Sequence, residues 1–163
     1  MTNPAKHKPS LKRHFDVYTD GSAFSDGRQM GAGWVVYEGD KKRGAYSQPV
    51  LTPKKGSSTL AEINAATLGL LSIPEGANAT LHSDCEAVLS YLRQGNTNSA
   101  YNSNNEHKQE INLAVTELFG AAARLGKLEL VKSNDKCDDR LREAHNLAQH
   151  AAMNVPRPPS PKS

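Results

Sequence analysis

The spacing of apolar and polar positions along the chain predicts five strands and four helices. Short runs of β-branched and aromatic residues bounded by turn residues are typical of strands. Apolar positions that recur every three or four residues are typical of helices that pack on a core. By these two criteria the strands are about 15–19, 31–38, 44–50, 79–82 and 127–131, and the helices about 60–71, 86–93, 106–125 and 138–153.

The order of these elements predicts an α/β fold. The first three strands are joined by short loops, with the Gly39–Asp40 turn and the basic run Lys41–Arg43 between the second and the third, and so form an antiparallel meander. Strands and helices then alternate, which is the pattern of parallel strands joined by crossovers. We therefore expect one five-stranded mixed sheet, made of a three-strand antiparallel meander plus two parallel strands, flanked by helices on both faces.

Polar residues mark the start of the first helix. Ser57, Ser58 and Thr59 are candidate N-caps, and Glu62 follows Thr59 by three residues, which is the spacing of a capping box. Pro74 ends the helix. The capping box alone would explain Glu62 without any chemical role.

Composition divides the chain into one domain with polar ends. A chain of 163 residues is long enough for one compact domain, which we place at 15–153. The basic segment 1–14 is predicted to be a flexible arm, either a plain solvated tail or a contact for phosphates. The segment 154–163 holds four prolines in ten residues and is predicted to be disordered. The polar loop 95–105 cannot contribute to a core.

The overall composition is that of an ordinary globular protein, with 37% hydrophobic and 23% charged residues. The formal net charge of +3 is compatible with a nucleic-acid partner but does not require one. Cys85 and Cys137 are too few for a metal cluster and are expected to be reduced thiols. No apolar run approaches the length of a membrane span, and the N-terminus lacks the apolar core of a signal peptide. We therefore expect a cytoplasmic protein without a membrane partner, and a monomer.

Three acidic residues stand at positions where ligand sites gather in mixed α/β sheets. Asp20 is predicted to end the first strand, Glu62 lies early in the first helix, and Asp84 ends the fourth strand. Clustered carboxylates repel one another unless a cation lies between them, and hard divalent ions such as Mg²⁺ prefer carboxylate and phosphate oxygens. Each residue alone also has a plain structural explanation, as a turn former or a helix cap. Taken together with the order of the elements, they predict a metal site.

Three motifs on these elements resemble those of the type 1 ribonucleases H. The run 17–22 (VYTDGS) followed by 31–34 (GAGW) is similar to the opening of that family, 59–66 (TLAEINAA) to its first helix, and 81–85 (LHSDC) to its fourth strand. The resemblance extends over about 15–152. It implies a ribonuclease H-like fold. It also implies an endonuclease that hydrolyses the RNA strand of RNA–DNA hybrids with two divalent metal ions, Mg²⁺ or Mn²⁺.

The resemblance also implies which residues form the site. Asp20, Glu62 and Asp84 match the family's first three catalytic metal ligands. Residues of hydrogen-bonding character, or glycine, stand at the positions expected to contact the substrate, where they would read the RNA strand. These expected substrate-binding residues are Gly21, Ser22, Ser58, Thr59 and Glu86.

The fourth ligand position is where this sequence departs from the family. The family usually has an Asp in its last helix, and this chain has His145 there, within the run 142–148 (REAHNLA). Imidazole can bind Mn²⁺ or Mg²⁺ but suits softer ions better. We expect His145 to be the fourth catalytic ligand. If it is instead an ordinary helix residue, Asp138 or Asp139 would supply the charge.

Two loops also depart from the family pattern. The loop 133–140 lacks the mobile His that family members often carry there, and its polar candidates are Asn134, Asp135 and Lys136. The basic protrusion of some bacterial relatives is replaced by the polar loop 95–105. We therefore expect binding of the hybrid to be weaker than in those relatives, or to depend more on the N-terminal arm.

The resemblance leaves other functions open. The same fold could serve a catalytically weak or silent hybrid-binding domain, or a structure-specific nuclease of the resolvase type. The presence of all three of Asp20, Glu62 and Asp84 argues against a silent domain. A proofreading exonuclease is disfavoured, because that class needs a Glu two residues after the first Asp, where this chain has Ser22.

Overall fold

A computed structural model describes residues 12–24, 29–51, 56–95 and 108–154. Within these ranges the chain forms a single five-stranded sheet and four helices. The strands are β1 (His14–Phe24), β2 (Gln29–Glu38), β3 (Lys41–Val50), β4 (Asn78–Ser83) and β5 (Leu128–Lys132), and the helices are α1 (Ser58–Leu71), α2 (Glu86–Gln94), α3 (Lys108–Ala123) and α4 (Asp139–Met153).

The sheet has the predicted mixed topology. Its strand order is β3-β2-β1-β4-β5, with antiparallel pairing from β1 to β3 and parallel pairing of β1 with β4 and of β4 with β5. Helix α1 makes the connection into β4, and helices α2 and α3 make the connection into β5, as parallel strands require. The predicted α/β fold, a three-strand meander extended by two parallel strands, is therefore confirmed.

Alternating side chains pack the two faces of the sheet against different helices. On β1, Phe15 and Val17 belong to the main core, whereas Tyr18 points to the other face and packs with Val35 and Leu141. Helix α1 lies on the main-core side with α3 behind it, and α4 lies across β1, β2 and β3 on the opposite side. Helices thus flank the sheet on both faces, as predicted.

Helix α4 approaches the sheet closely because β2 has glycines beneath it. A Cβ atom on Gly33 would overlap backbone atoms of Ala144 and Ala148, and a Cβ atom on Gly31 would overlap backbone atoms of Ala148 and Ala152. The small residues of the second strand therefore let the helix backbone rest directly on the strand. This contact fixes the distance between α4 and the sheet, and with it the position of every side chain on that face of α4.

Two predicted boundaries were wrong, because pairing between strands continues beyond the local sequence pattern. β1 was expected to end at Asp20, but it stays paired with β2 as far as Phe24, so that Asp20 lies inside the strand. The basic run Lys41–Arg43 was expected between strands, but it opens β3. β3 is an edge strand, and an edge strand readily accepts charged side chains.

The capping box predicted at the start of α1 was also wrong. Ser57 is the N-cap, and its hydroxyl oxygen accepts a hydrogen bond from the backbone N–H of Leu60 at 3.1 Å. Thr59 therefore lies inside the helix, and Glu62 is too far along it to act as the capping partner. The carboxyl group of Glu62 is left for another role.

Several predictions fall on residues outside the described ranges. Residues 1–11, 96–107 and 155–163 are among them, so the predicted arm, polar loop and tail stay predictions. His14, which the sequence assigned to the arm, is the first residue of β1. None of the helices in the described ranges is long and apolar enough to cross a membrane.

Candidate active site

The sheet opens partway along β1. The parallel pairing of β1 with β4 ends at Tyr18 and His82, whereas the antiparallel pairing of β1 with β2 continues to Phe24. Among the described strands, Asp20 therefore has a paired neighbour on the β2 side of β1 only. Asp84 directly follows the end of β4. Both acidic residues thus lie at the same end of the sheet, as expected for residues at or near the carboxyl ends of parallel strands.

Gly21 lets α1 pack against β1 beside this opening. A Cβ atom on Gly21 would overlap backbone atoms of Ala61 and Glu62, so a larger residue would push the helix away. Glycine is the residue that permits such a close approach of two backbones. The contact brings the second turn of α1, and with it the side chain of Glu62, alongside Asp20.

Asp20, Glu62 and Asp84 form one group, here called the carboxylate cluster. A carboxylate oxygen from each lies within 4.8 Å of those of the other two. Asp20 is only 2% exposed, whereas Asp84 is exposed, so the cluster is closed at the sheet and open to solvent on the Asp84 side. Burial, followed by contact with Asp20 and the charge of that group, raises the pKa of Glu62 well above its ordinary value. Burial and the charges of Asp20 and Asp135 raise the pKa of Asp84.

The carboxylate cluster fits a hard divalent cation. The Oε2 atom of Glu62 is buried and has no hydrogen-bond partner among the described residues. A buried polar atom without a partner costs free energy, and adjacent carboxylates repel one another. A cation between the three groups would give the orphaned oxygen a partner and cancel the repulsion, and carboxylate oxygens are preferred ligands of Mg²⁺ and Mn²⁺. The cluster could therefore bind metal ions.

The first turn of α4 is anchored to the sheet and sets the position of His145. Asp138 is the N-cap of α4, and its Oδ1 accepts hydrogen bonds from the backbone N–H groups of Arg140 and Leu141 at 3.0 and 3.2 Å. The guanidinium carbon of Arg140 lies 3.7 Å from the centre of the Tyr37 ring, which is within the range of a cation–π contact. His145 follows in the second turn of the helix.

His145 contacts the carboxylate cluster at Asp20 through its Nδ1 atom. That atom lies 2.6 Å from Oδ2 of Asp20 and 3.9 Å from Oδ2 of Asp135. The imidazole is 33% exposed, so it lies where the cluster meets solvent. The structure thus brings His145 into contact with the first predicted ligand, as a fourth member of the site requires, while its role as a metal ligand stays a prediction.

The two acidic alternatives to His145 are engaged elsewhere. Asp138 caps α4, and the carboxylate of Asp139 is 93% exposed and forms an ion pair of 2.6 Å with Arg142. The acidic residue of this region that does approach the site is Asp135, which the sequence indicated only as one polar candidate of the loop. The one feature of the sequence that indicated Asp135 was its position just before the last helix. Sequence spacing could not show that the loop turns its carboxylate towards His145.

Four of the five predicted substrate-binding residues lie on β1 and α1. Gly21 packs beneath α1, and Ser22 is almost fully buried in β1. Ser58 and Thr59 lie in the first turn of α1, with Ser58 exposed, and their hydroxyl groups can donate or accept hydrogen bonds. Contact of these residues with a substrate stays a prediction.

Glu86, the fifth predicted substrate-binding residue, is the first residue of α2 and follows Asp84 by two positions. Its carboxylate forms ion pairs with Arg93 at 3.0 Å and with Lys132 at 3.3 Å. Hydrogen bonds from Lys132 and Arg93 lower the pKa of Glu86. Any contact of Glu86 with a substrate would therefore compete with these two cations.

Comparisons with known proteins agree with this fold. A sequence model of the RNase H family matches residues 12–144. No curated protein sequence matches the chain. Among solved structures, the chain is similar to the N-terminal RNase H domain of Rv2228c from Mycobacterium tuberculosis, solved as a fusion with maltose-binding protein (15% identity, 86% of this chain and 94% of that one, TM-score 0.65).

Two further solved structures share the fold. One is RNase H1 from the halophilic archaeon Halobacterium salinarum (16% identity, 87% of this chain and 99% of that one, TM-score 0.63). The other is LC11-RNase H1, isolated from compost by a metagenomic approach (15% identity, 86% of this chain and 96% of that one, TM-score 0.63). These likenesses confirm the predicted ribonuclease H-like fold.

Proposed function

The chain belongs to the ribonuclease H family, and on that premise we propose that it is an endonuclease that hydrolyses the RNA strand of RNA–DNA hybrids. The observation that carries the proposal is the carboxylate cluster of Asp20, Glu62 and Asp84. Folding alone gives no reason to bring three acidic groups together and to leave a buried oxygen of Glu62 without a partner in the described part of the chain. A site that has to hold cations gives such a reason.

The three carboxylates and the imidazole of His145 would hold two divalent ions, Mg²⁺ or Mn²⁺. When bound, the ions would supply an activated water and stabilise the leaving oxygen of the phosphodiester. Asp20 is central to this set, because its side chain contacts both Glu62 and His145. Because Asp20 is buried and hydrogen-bonded, it keeps one orientation, which preorganises the ligands before the substrate arrives.

The open side of the cluster gives the substrate its approach. Asp84 is exposed there, and Ser58 and Thr59 at the start of α1 can donate to or accept from 2′-hydroxyl groups. Discrimination between RNA and DNA requires contacts of this kind, because the 2′-hydroxyl is the group by which the two strands differ. We assign Ser58 and Thr59 to the RNA strand on this basis, and Gly21, Ser22 and Glu86 stay further candidates for contact with the substrate.

Cleavage of a labelled RNA–DNA hybrid tests the proposal, with single-stranded RNA, double-stranded RNA and double-stranded DNA as controls and with Mg²⁺ and Mn²⁺ in separate reactions. Only the RNA strand of the hybrid should be cut. Asp84→Asn should lower the rate by roughly a hundredfold or more, since each ~1.4 kcal/mol of lost transition-state stabilisation costs tenfold.

Asp139→Asn is the matched control, because it removes the same charge from an exposed carboxylate that lies outside the carboxylate cluster. It should cleave at close to the parent rate. A full rate in the Asp84→Asn protein would rule out this site. Cleavage of double-stranded DNA in preference to the hybrid would favour a structure-specific nuclease.

A further inference from the structure

Asp135 adds a fourth carboxylate to the surroundings of the carboxylate cluster. It lies in the loop between β5 and α4, and its Oδ2 is 3.9 Å from Nδ1 of His145, which itself contacts Asp20. The charge of Asp135 also acts on Asp84 and contributes to the raised pKa of that residue. Its side chain is 29% exposed, so its field is only partly screened by solvent.

The other acidic residues of this segment do not have this position. Asp138 is held by the backbone N–H groups of the first turn of α4, and Asp139 points to solvent beside Arg142. Asp135, Asp138 and Asp139 are close in sequence, but their side chains thus have three different roles. Only for Asp135, among the acidic residues of the described β5–α4 loop and the start of α4, does the structure give a close approach to His145.

We propose that Asp135 is part of the ion-binding site and supplies the negative charge that an imidazole ligand at position 145 does not. The role of Asp135 rests on the ion site of the proposed function. With Asp135 included, four carboxylates would lie around the ions: Asp20, Glu62, Asp84 and Asp135. The fourth ligand position itself, on α4, holds His145 and not an acid. The buried Oε2 of Glu62, which has no hydrogen-bond partner among the described residues, independently indicates that the carboxylate cluster beside Asp135 and His145 faces a cation.

The distance indicates how Asp135 acts. At 3.9 Å from Nδ1, its carboxylate is beyond hydrogen-bond range of His145. Its contribution is therefore an electrostatic attraction for the ions and not the orientation of the imidazole. In a solvated site, one unit charge near a divalent ion contributes on the order of tenfold in affinity.

Mn²⁺ binding to the metal-free chain, measured by isothermal titration calorimetry without nucleic acid, tests this role. Asp135→Asn should weaken Mn²⁺ binding by about tenfold, and raised salt should shrink the difference. Asp135→Glu, which keeps the charge, should bind Mn²⁺ nearly as the parent does. Asp139→Asn, the matched control in the same segment, should stay within about twofold of the parent. Equal Mn²⁺ affinity in the Asp135→Asn and Asp139→Asn proteins would overturn the proposal.

A second variant separates charge from local structure. Placing an acid in the helix by His145→Asp in the Asp135→Asn protein should restore Mn²⁺ affinity to near the parent value, because the number of carboxylates is again four. If the double variant binds Mn²⁺ as weakly as Asp135→Asn alone, the charge is not what Asp135 supplies. The readout does not depend on cleavage. A chain that binds Mn²⁺ in this pattern but leaves hybrids intact would refute the proposed nuclease activity and keep the role of Asp135.

Discussion

Glu62 is the residue at which folding and chemistry conflict most clearly. Its neighbours in α1, Ala61 and Ile63, are completely buried, and an apolar side chain at position 62 would satisfy the helix equally well. The chain instead holds a carboxylate there, beside Asp20, and one of its oxygens has no hydrogen-bond partner among the residues that the structure describes. Residues that break a local rule of folding in this way are typical of functional sites.

Glu62→Gln should therefore stabilise the metal-free protein at alkaline pH. The pKa of Glu62 is raised in the folded chain, so its contribution to stability is complete below its ordinary pKa near 4.5 and is lost as pH rises through the raised value. Gln does not ionise, so its contribution to stability does not fall as pH rises. In EDTA, the Tm of the variant should equal that of the parent at about pH 4 and exceed it by a few degrees at about pH 8, since ~1 kcal/mol corresponds to roughly 3 °C for a domain of this size. A difference in Tm that does not change with pH would contradict the raised pKa.

His145→Asp should shift the metal preference of cleavage from Mn²⁺ towards Mg²⁺. An imidazole nitrogen suits Mn²⁺ better than the harder Mg²⁺, whereas a carboxylate oxygen suits both. When hybrid cleavage is titrated with each ion, the half-saturating Mg²⁺ concentration should fall by about tenfold and that of Mn²⁺ should change less. His145→Ala should raise the requirement for both ions. If the Ala variant titrates with metal as the parent does, His145 is not a ligand.

At the scale of elements, the sequence allowed prediction of which segments form helices and strands, but not of how far they pair. Apolar periodicity predicted the four described helices, and short β-branched and aromatic runs bounded by turn residues predicted the five described strands. The second half of β1 was missed because the run 20–24 (DGSAF) contains a turn signal and is held as a strand only by β2. The approach of Asp135 to the site was missed for a related reason, since it depends on the loop conformation that precedes the cap of α4.

The small residues of β2 could be recognised from the sequence, but only the structure shows that they allow the close approach of α4. Gly33→Ala should destabilise the fold by about 1–3 kcal/mol, because the added Cβ overlaps the backbone of α4 at Ala144 and Ala148. It should also lower cleavage, because displacing α4 displaces His145. Gly120→Ala is the matched control. It makes the same change in α3 where a Cβ meets nothing, and it should stabilise the fold by roughly 0.5–1 kcal/mol through helix propensity. Thermal unfolding of the two variants should therefore shift in opposite directions, and a shared direction would contradict the close packing of α4.

At the scale of the whole molecule, the site follows from the mixed sheet. The parallel strand β4 stops while the antiparallel pair β1 and β2 continues, which leaves a gap beside the second half of β1. Segments from β1, α1, the end of β4 and the start of α4 meet at this gap. The order of elements predicted only that a site would gather at strand ends and helix starts, and the three family motifs indicated three of its residues. The position of α4 relative to the gap depends on packing over the whole of β2, which no local pattern contains.

The net charge of +3 is a property of the whole molecule, and part of it lies in the N-terminal arm, which carries Lys6 and Lys8. Deletion of residues 1–11 tests whether this charge contacts phosphates. The deletion should stop before Arg13, because Arg13 forms an ion pair of 2.8 Å with Glu38 and its carbonyl oxygen accepts a hydrogen bond from the backbone N–H of Asn78. The hydrogen bond from Arg13 is also the largest cause that lowers the pKa of Glu38 to about 2, so Arg13 belongs to the folded domain.

If the arm contacts phosphates, the deletion should weaken hybrid binding and flatten its salt dependence. Each lost contact removes about 0.9 from the slope of log affinity against log salt concentration, so Lys6 and Lys8 together account for a change of up to about 1.8. The full-length double variant Lys6→Gln with Lys8→Gln should reproduce the deletion, because it removes the charge without the length. Asn3→Ala with Ser10→Ala keeps the charge and should bind as the parent does. Binding is measured with the Asp84→Asn protein, so that the hybrid stays intact, over a series of salt concentrations. An unchanged slope in the deletion would mean that the arm is a solvated tail and that the folded domain supplies the contacts with the hybrid.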